Sequence, residues 1–295
     1  MSRQIVAGVD GSSPSLRAVA AAAYEARLHG RCLRVVHAYQ WPAAHVPRAP
    51  ERLGLPEGGL RDVVDRMLTD AMAHARTVAP EVQVGSAVVT GDPLTVLEHE
   101  SGTAALVVVG HRGLGGLAGP LLGSVGMHLA SHSRCPVMVV RGRRERMGGV
   151  LLGVDGSPGS AAAVRFAFAE ASLREVPLVA VHTWNTWTSR VYDGPADPPG
   201  VTYDVDRLRD EEERLLTEAL AGWTETYPDV VVERRVMETH TRHALIEASS
   251  EAQLVVVGAR GLGGLSGLLL GSVGRALLCH ARCPVVVVRG AGAPS

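Results

Sequence analysis

Gly110, Gly113, Gly123 and Ser124 stand in the pattern G-x-x-G, nine residues, then G-S, and the same pattern returns at Gly258, Gly261, Gly271 and Ser272. From Leu106 to Gly126 the chain matches Leu254 to Gly274 at 18 of 21 positions. Each pattern follows an apolar run ending in Val109 or Val257. Glycines after a strand let backbone approach a ligand with no Cβ in the way. A Gly-Ser at a helix start offers unpartnered N–H groups and about half a positive charge. Phosphate is the chemistry that such a loop suits. A single G-x-x-G is equally a plain strand-to-helix loop; two copies with identical spacing favour a ligand loop in each half. Asp10 and Asp155 each sit in the run Gly-Val-Asp-Gly-Ser (Gly8 to Ser12 and Gly153 to Ser157) at the carboxyl end of an apolar stretch. There a carboxylate can accept from ribose hydroxyls or hold a cation, and it can equally form an Asx turn or a helix cap. Arg112 and Arg260 lie inside the loops, where a guanidinium could clamp a terminal phosphate or simply be solvated.

Other chemistries are thinned out by composition. The 295 residues contain no lysine, so every one of the 29 basic Lys/Arg side chains is Arg. That removes the P-loop lysine, the protein-kinase lysine and a Schiff-base lysine together. A phosphate here has to be held by backbone amides, hydroxyls or Arg. No G-x-S-x-G run is present, and Gly8 to Ser12 does not supply the dinucleotide fingerprint G-x-G-x-x-G after the first strand. No catalytic residue and no metal ligand set is assigned. The net charge of −1 gives no field toward nucleic acid or anionic lipid. No apolar stretch reaches the roughly 18 residues that span a membrane, and no signal peptide is visible at Met1, so the expected compartment is the cytoplasm. Cys32, Cys135, Cys279 and Cys283 lack metal-finger spacing and read as buried structural thiols. His37 and His182 match across the repeat without a carboxylate or cysteine at ligand spacing, and read as strand-end packing. The charge run 210–214 reads as a solvated helix face helped by the dipole.

The elements that position these residues also repeat. The first-half strands are expected at 4–9, 33–39, 82–90, 105–109 and 137–141, with helices at 15–29, 60–78, 93–101 and 123–132. Ser13-Pro14 reads as an N-cap followed by Pro at the first helical position. The second half is expected to place strands at 150–154, 178–184, 230–237, 254–257 and 285–289. Its helices are expected at 161–174, 204–221, 242–250 and 272–280. The offset between halves grows from 145 to 148 residues, so the second half gained about three residues in its middle. A repeat this long is a duplicated domain, expected at 1–142 and 149–290 with 141–148 as linker. Strands so continuously apolar are covered on both faces, which implies an α/β fold: two tandem doubly wound domains, each a five-stranded parallel sheet with helices on both faces. A strand-order reversal between the first and fourth strands would put Asp10 beside the Gly110 loop and Asp155 beside the Gly258 loop. The connections 40–59 and 184–203 are rich in Pro, Gly and aromatic residues, and are equally a lid or a surface loop.

G-x-x-G-x9-G-S after the fourth strand, with Gly-Val-Asp-Gly-Ser after the first, resembles the universal stress protein family, in particular its tandem, ATP-binding members. The resemblance covers essentially the whole chain. It implies strand order 3-2-1-4-5, ATP accompanied by Mg2+ as the ligand, and one adenine-nucleotide site per domain. Adenine would meet the backbone at Ala38 and Thr183. Ribose and phosphates would meet Gly8, Val9, Asp10, Val109, Gly110, Gly113, Gly123, Ser124 and Val125. In the second half the matching residues are Gly153, Val154, Asp155, Val257, Gly258, Gly261, Gly271, Ser272 and Val273. It further implies pairing of the two domains through their last strands (137–140 and 285–288) and a homodimer. The expected role is regulatory binding in a stress response, with a slow or self-phosphorylating ATPase and a sensor of AMP or a cyclic nucleotide as alternatives. Departures fall at Thr239-His240-Thr241, where the first half has Gly91-Asp92-Pro93, and at Leu268, where the first half has Pro120; they argue for unequal affinities.

Overall fold

The structure is a computed structural model that describes residues 3–39, 59–113, 122–142, 148–157, 159–184, 205–261 and 270–290. Its contacts divide the chain into Met1–Val140 and Arg141–Ser295. The expected linker residues 143–147, nearly all of the two long connections, and Pro120 and Leu268 lie outside the described residues.

The first unit runs β1 (Ile5–Gly8), α1 (Ser13–Leu28), β2 (Leu33–Tyr39), α2 (Gly59–Val78), β3 (Val84–Thr90), α3 (Pro93–Glu100), β4 (Leu106–Gly110), α4 (Ser124–His132) and β5 (Val137–Val140). The second runs β6 (Val150–Val154), α5 (Ala161–Arg174), β7 (Leu178–Trp184), α6 (Val205–Leu220), α7 (Trp223–Thr226), β8 (Val232–Glu238), α8 (Thr241–Ala248), β9 (Leu254–Gly258), α9 (Ser272–His280) and β10 (Val285–Val288). All pairings within a unit are parallel. In the first, β1 lies between β2 and β4, with β3 beyond β2 and β5 beyond β4. In the second, β6 lies between β7 and β9, with β8 beyond β7 and β10 beyond β9.

Hydrophobic pattern explains the layout. β1 and β5 are buried at every residue, as is β4 up to its final glycine, because helices cover both faces of a doubly wound sheet. β3 and β8 carry polar residues and are largely exposed, as suits strands with a solvated side. The chain leaves β1 toward β2 and β3, then returns to β4 on the other side of β1. The loops after β1 and β4 therefore start from neighbouring strand ends, the arrangement of a topological switch point.

Three expectations need correction. Ser12, not Ser13, is the N-cap of α1: its hydroxyl accepts from Ser15 N at 3.3 Å, and Pro14 falls at the second helical position. The cause is Asp10, whose Oδ1 holds both the amide and the hydroxyl of Ser12 and so fixes the extended residue there. Second, the helix expected over 204–221 ends at Leu220, and a further turn, α7, follows Gly222. Gly222 has φ +76°, a left-handed conformation suited to glycine, and breaks what is one continuous helix, α2, in the first unit. The three-residue gain lies earlier, between β7 and the middle of α6: β7 begins 145 residues after β2, but Leu215 beside Gly156 already stands 148 residues after Met67 beside Gly11. The turn after the break brings Trp223 and Tyr227 onto Phe168, at ring-centroid distances of 6.4 and 6.0 Å. Phe168 is fully buried where the first unit has Ala23. Third, only Cys135 and Cys283 are buried thiols; Cys32 is exposed and Cys279 half-buried. Burial pushes the Cys135 thiol up to about 12.

Candidate functional site

The first unit's site is assembled from the ends of β1 and β4 and the start of α4. Asp10 follows β1 and splits its two oxygens between two tasks. Oδ1 accepts from Ser12 N at 3.0 Å and from Ser12 Oγ at 2.6 Å, an Asx turn that starts α1. Oδ2 lies against the Cβ position of Gly113, where a side chain would have to push the carboxylate aside. The second unit repeats this: Asp155 Oδ1 accepts from Ser157 N at 3.0 Å and Ser157 Oγ at 2.7 Å, and Oδ2 occupies the Cβ position of Gly261. Of the roles read from the sequence for these aspartates, the Asx turn is present in both units, on Oδ1.

Gly123 closes the loop from its far side. Its N–H donates to His111 O at 2.8 Å, and a methyl group on it would stand 3.9 Å from Gly113 N. Gly271 N donates to Ala259 O at 2.8 Å in the same way. Gly123 and Gly271 are the N-caps of α4 and α9, and neither helix receives a side-chain capping hydrogen bond. By contrast α1 is capped by Ser12 and α3 by Asp92, which accepts from Leu94 N at 2.9 Å and Thr95 N at 3.4 Å. The first-turn amides of α4 and α9, with the exposed Ser124 and Ser272 and the half-buried Val125 and Val273, thus open beside the carboxylate-bearing loop. Such an end attracts an anion through free N–H groups and the helix dipole. Arg112 adds a buried Nε with no hydrogen-bond partner among the described residues. A buried, unmatched donor costs about 1–3 kcal/mol, and a ligand oxygen would satisfy it. Arg260 is exposed.

Not every glycine serves the loop in the manner expected. Gly110 is a glycine because of its own fold: a methyl group there would lie 2.7 Å from the backbone carbon and oxygen of Pro14, in the first turn of α1. Gly258 is under less pressure, its nearest neighbours being Arg260 O at 3.2 Å and Gly159 O at 3.3 Å. Gly8 and Gly153 are likewise packing positions. A Cβ on Gly8 would meet Leu97 Cδ1 at 2.8 Å and the side chain of Val109; one on Gly153 would meet Leu245 Cδ1 at 2.9 Å and the side chain of Val257. Ala38 and Thr183 stand on β2 and β7, on the opposite side of β1 and β6 from the loop-bearing strands β4 and β9. They are linked to the centre through histidines: His37 Nδ1 is 2.9 Å from Val9 O and His182 Nδ1 is 2.8 Å from Val154 O.

Two contacts of the second unit are absent from the sequence reading. Glu212 Oε2 lies 2.8 Å from His182 Nε2, so His182 does have a carboxylate companion. Thr183 Oγ1 lies 2.6 Å from Thr241 Oγ1. The first pair had a legible signal. Leu208, Glu212, Leu216 and Leu220 recur every four residues, and the three leucines are buried, so Glu212 sits on the apolar stripe of α6 and not on its solvated face.

Two units of parallel doubly wound structure, each with a glycine loop and a helix start without a side-chain cap at the switch point, define a tandem pair of doubly wound α/β domains. The family profile of the universal stress proteins matches residues 1–141 and again 147–289. A universal stress protein of Mycobacterium tuberculosis strain H37Rv is 39% identical over 306 residues, covering 97% of this chain and 94% of its own. One from Mycolicibacterium smegmatis is 39% identical over 299 residues, with 97% and 96% covered. The chain belongs to the universal stress protein family. A solved universal stress protein from Archaeoglobus fulgidus shares the fold at a TM-score of 0.61 and 18% identity, covering 98% of this chain and 97% of its own. Among the described residues no helix is long and apolar enough to cross a membrane.

Proposed function

We propose that each half binds one adenine nucleotide, ATP with Mg2+ as its phosphate counter-ion, and that the protein acts as a cytoplasmic stress-response regulator through occupancy of these sites. The observation that carries this reading is the carboxylate of Asp10 set into the Cβ space of Gly113, and of Asp155 into that of Gly261, each next to an uncapped helix start. A sugar hydroxyl donor and a phosphate acceptor suit those two features side by side. Without lysine, phosphate oxygens are held by the first-turn amides of α4 and α9, by Ser124 and Ser272, and in the first unit by Arg112 Nε, which has no partner among the described residues. Binding fits better than turnover, because Asp10 Oδ1 and Asp155 Oδ1 each already accept two hydrogen bonds and are poor proton acceptors for an attacking water. Association into a homodimer belongs to the same reading and is checked by light-scattering mass with and without ATP.

The test is to denature freshly purified protein, identify released nucleotide by chromatography, and titrate the emptied protein with ATP. Two equivalents per chain are expected, falling to one in Asp10→Ala and in Asp155→Ala, and to none in the double variant. No released nucleotide together with no heat on ATP addition defeats the proposal. Phosphate release by wild type should be no faster than by the double variant; faster release would move the assignment to an ATPase.

A further inference from the structure

We propose that His182 and Glu212 form a proton-dependent positioning pair that makes the second nucleotide site respond to pH while the first does not, an inference that rests on the nucleotide reading above. His182 and Glu212 are mostly buried, with side chains 7% and 18% exposed. The ring is bracketed by acceptors: Val154 O is 2.8 Å from Nδ1, and Glu212 Oε2 is 2.8 Å from Nε2. A backbone carbonyl only accepts, so Nδ1 carries a hydrogen. A neutral ring then has a bare Nε2, and a bare nitrogen facing an ionised carboxylate at that distance is two acceptors in contact. The closed arrangement therefore holds one proton more than a neutral imidazole and a carboxylate hold apart. When that proton leaves, the pair opens.

Position gives the pair its consequence. Val154 directly precedes Asp155, and His182 directly precedes Thr183, the residue assigned to the adenine edge. With the proton in place, α6 is tied through Glu212 to the carboxyl ends of β7, which carries Thr183, and β6, which Asp155 directly follows. Other charged groups on the elements packed about β7 do not take over this role. Arg234 and Glu238 lie on β8, two register positions from Val236, the partner of His182. Glu213 on α6, Arg165 on α5 and Arg242 on α8 are exposed, and the Oδ1 of Asp155 is held by Ser157. Among the described residues only Glu212 offers the ring a carboxylate within hydrogen-bond distance.

The first unit is the internal control. His37 makes the same bond, Nδ1 to Val9 O at 2.9 Å, but the position matching Glu212 is Val64, which is buried. A neutral ring suffices there, and no second proton is required.

Long-range 15N spectra of the histidine rings in the full chain, assigned by single substitutions, test the pair itself. With the pair closed, His182 should carry hydrogens on both nitrogens, and His37, which has no such carboxylate, on one. In Glu212→Gln the amide can donate to a bare Nε2, so His182 should fall to one hydrogen with the contact kept. ATP titrations of Asp10→Ala, which retains the second site, and of Asp155→Ala, which retains the first, test the consequence. Across a titration from acid to alkaline pH the second site should weaken roughly tenfold as the pair opens, and the first, which also controls for titration of ATP itself, by less than about twofold. Adding Glu212→Gln to Asp10→Ala should flatten the second-site response. A singly protonated His182 in contact with Glu212, or a second site whose pH response matches the first, overturns the proposal. If neither variant binds ATP at any pH, the nucleotide reading itself fails and this proposal with it.

Discussion

Gly110 shows how one residue can be read correctly for its place and differently for its reason. Its spacing to Gly113 and to Gly123-Ser124 marks the loop, but the contact that excludes a side chain at Gly110 is the Pro14 backbone at 2.7 Å, not open space for a ligand. Gly113 is the opposite case, since the atom that excludes a side chain there is the Asp10 carboxylate of the site itself. The repeat turns this into a prediction. Gly110→Ala forces a methyl group against rigid backbone and should cost about 1–3 kcal/mol of stability. Gly258→Ala, whose nearest atoms are loop carbonyls at 3.2 and 3.3 Å, should cost measurably less. Thermal melts of the two single variants check it, and equal shifts would contradict the packing difference. At the same scale, nothing in the spacing of His182 indicated a carboxylate, because Glu212 is thirty positions away. Only its place on the Leu208–Leu216–Leu220 stripe hinted that it faces inward.

At the scale of elements, the two halves repeat one plan with local substitutions that travel together. The break at Gly222, the separate turn α7 and Phe168 in place of Ala23 form one such set, because Trp223 and Tyr227 both stack on a ring where the first unit has an alanine. Phe168→Ala should therefore cost the second unit about 3–5 kcal/mol and alter the fluorescence of Trp223, monitored with the other tryptophans replaced. A loss below about 1 kcal/mol would show that the rings do not act as a cluster. The charge-rich front of α6 hid this arrangement from pattern reading. Helical periodicity continues smoothly up to Ala221, and a single glycine is a weak stop signal until its φ of +76° is known.

For the whole molecule, the absence of lysine is the widest constraint on how it can hold a phosphate. A nucleotide affinity reagent that acylates lysine amines should leave both sites unlabelled, whereas a photoreactive azido-adenosine triphosphate should label peptides from both halves. Excess ATP should abolish that labelling. Label confined to one half would show that duplication of the loop has not preserved two sites. The two units are also unlike where the base is assigned: Ala38 and Pro93 in one, Thr183 bonded to Thr241 in the other. Distinct affinities for the two equivalents are the expected outcome.

The sequence by itself determined the duplication, the α/β class, the approximate span of nearly every strand and helix, and the two loops. It could do so because apolar periodicity, glycine placement and helix-start chemistry are local properties that neighbouring residues fully express. It located Asp10 and Asp155 beside those loops only through the rule that ligands gather where strand order reverses. What tertiary structure alone decided was which atoms meet: Asp10 Oδ2 in the Cβ space of Gly113, Pro14 against Gly110, Glu212 on His182. Those contacts join residues 30 to about 100 positions apart, and their distances are set by how helices seat on the sheet. No local pattern in the chain records that seating.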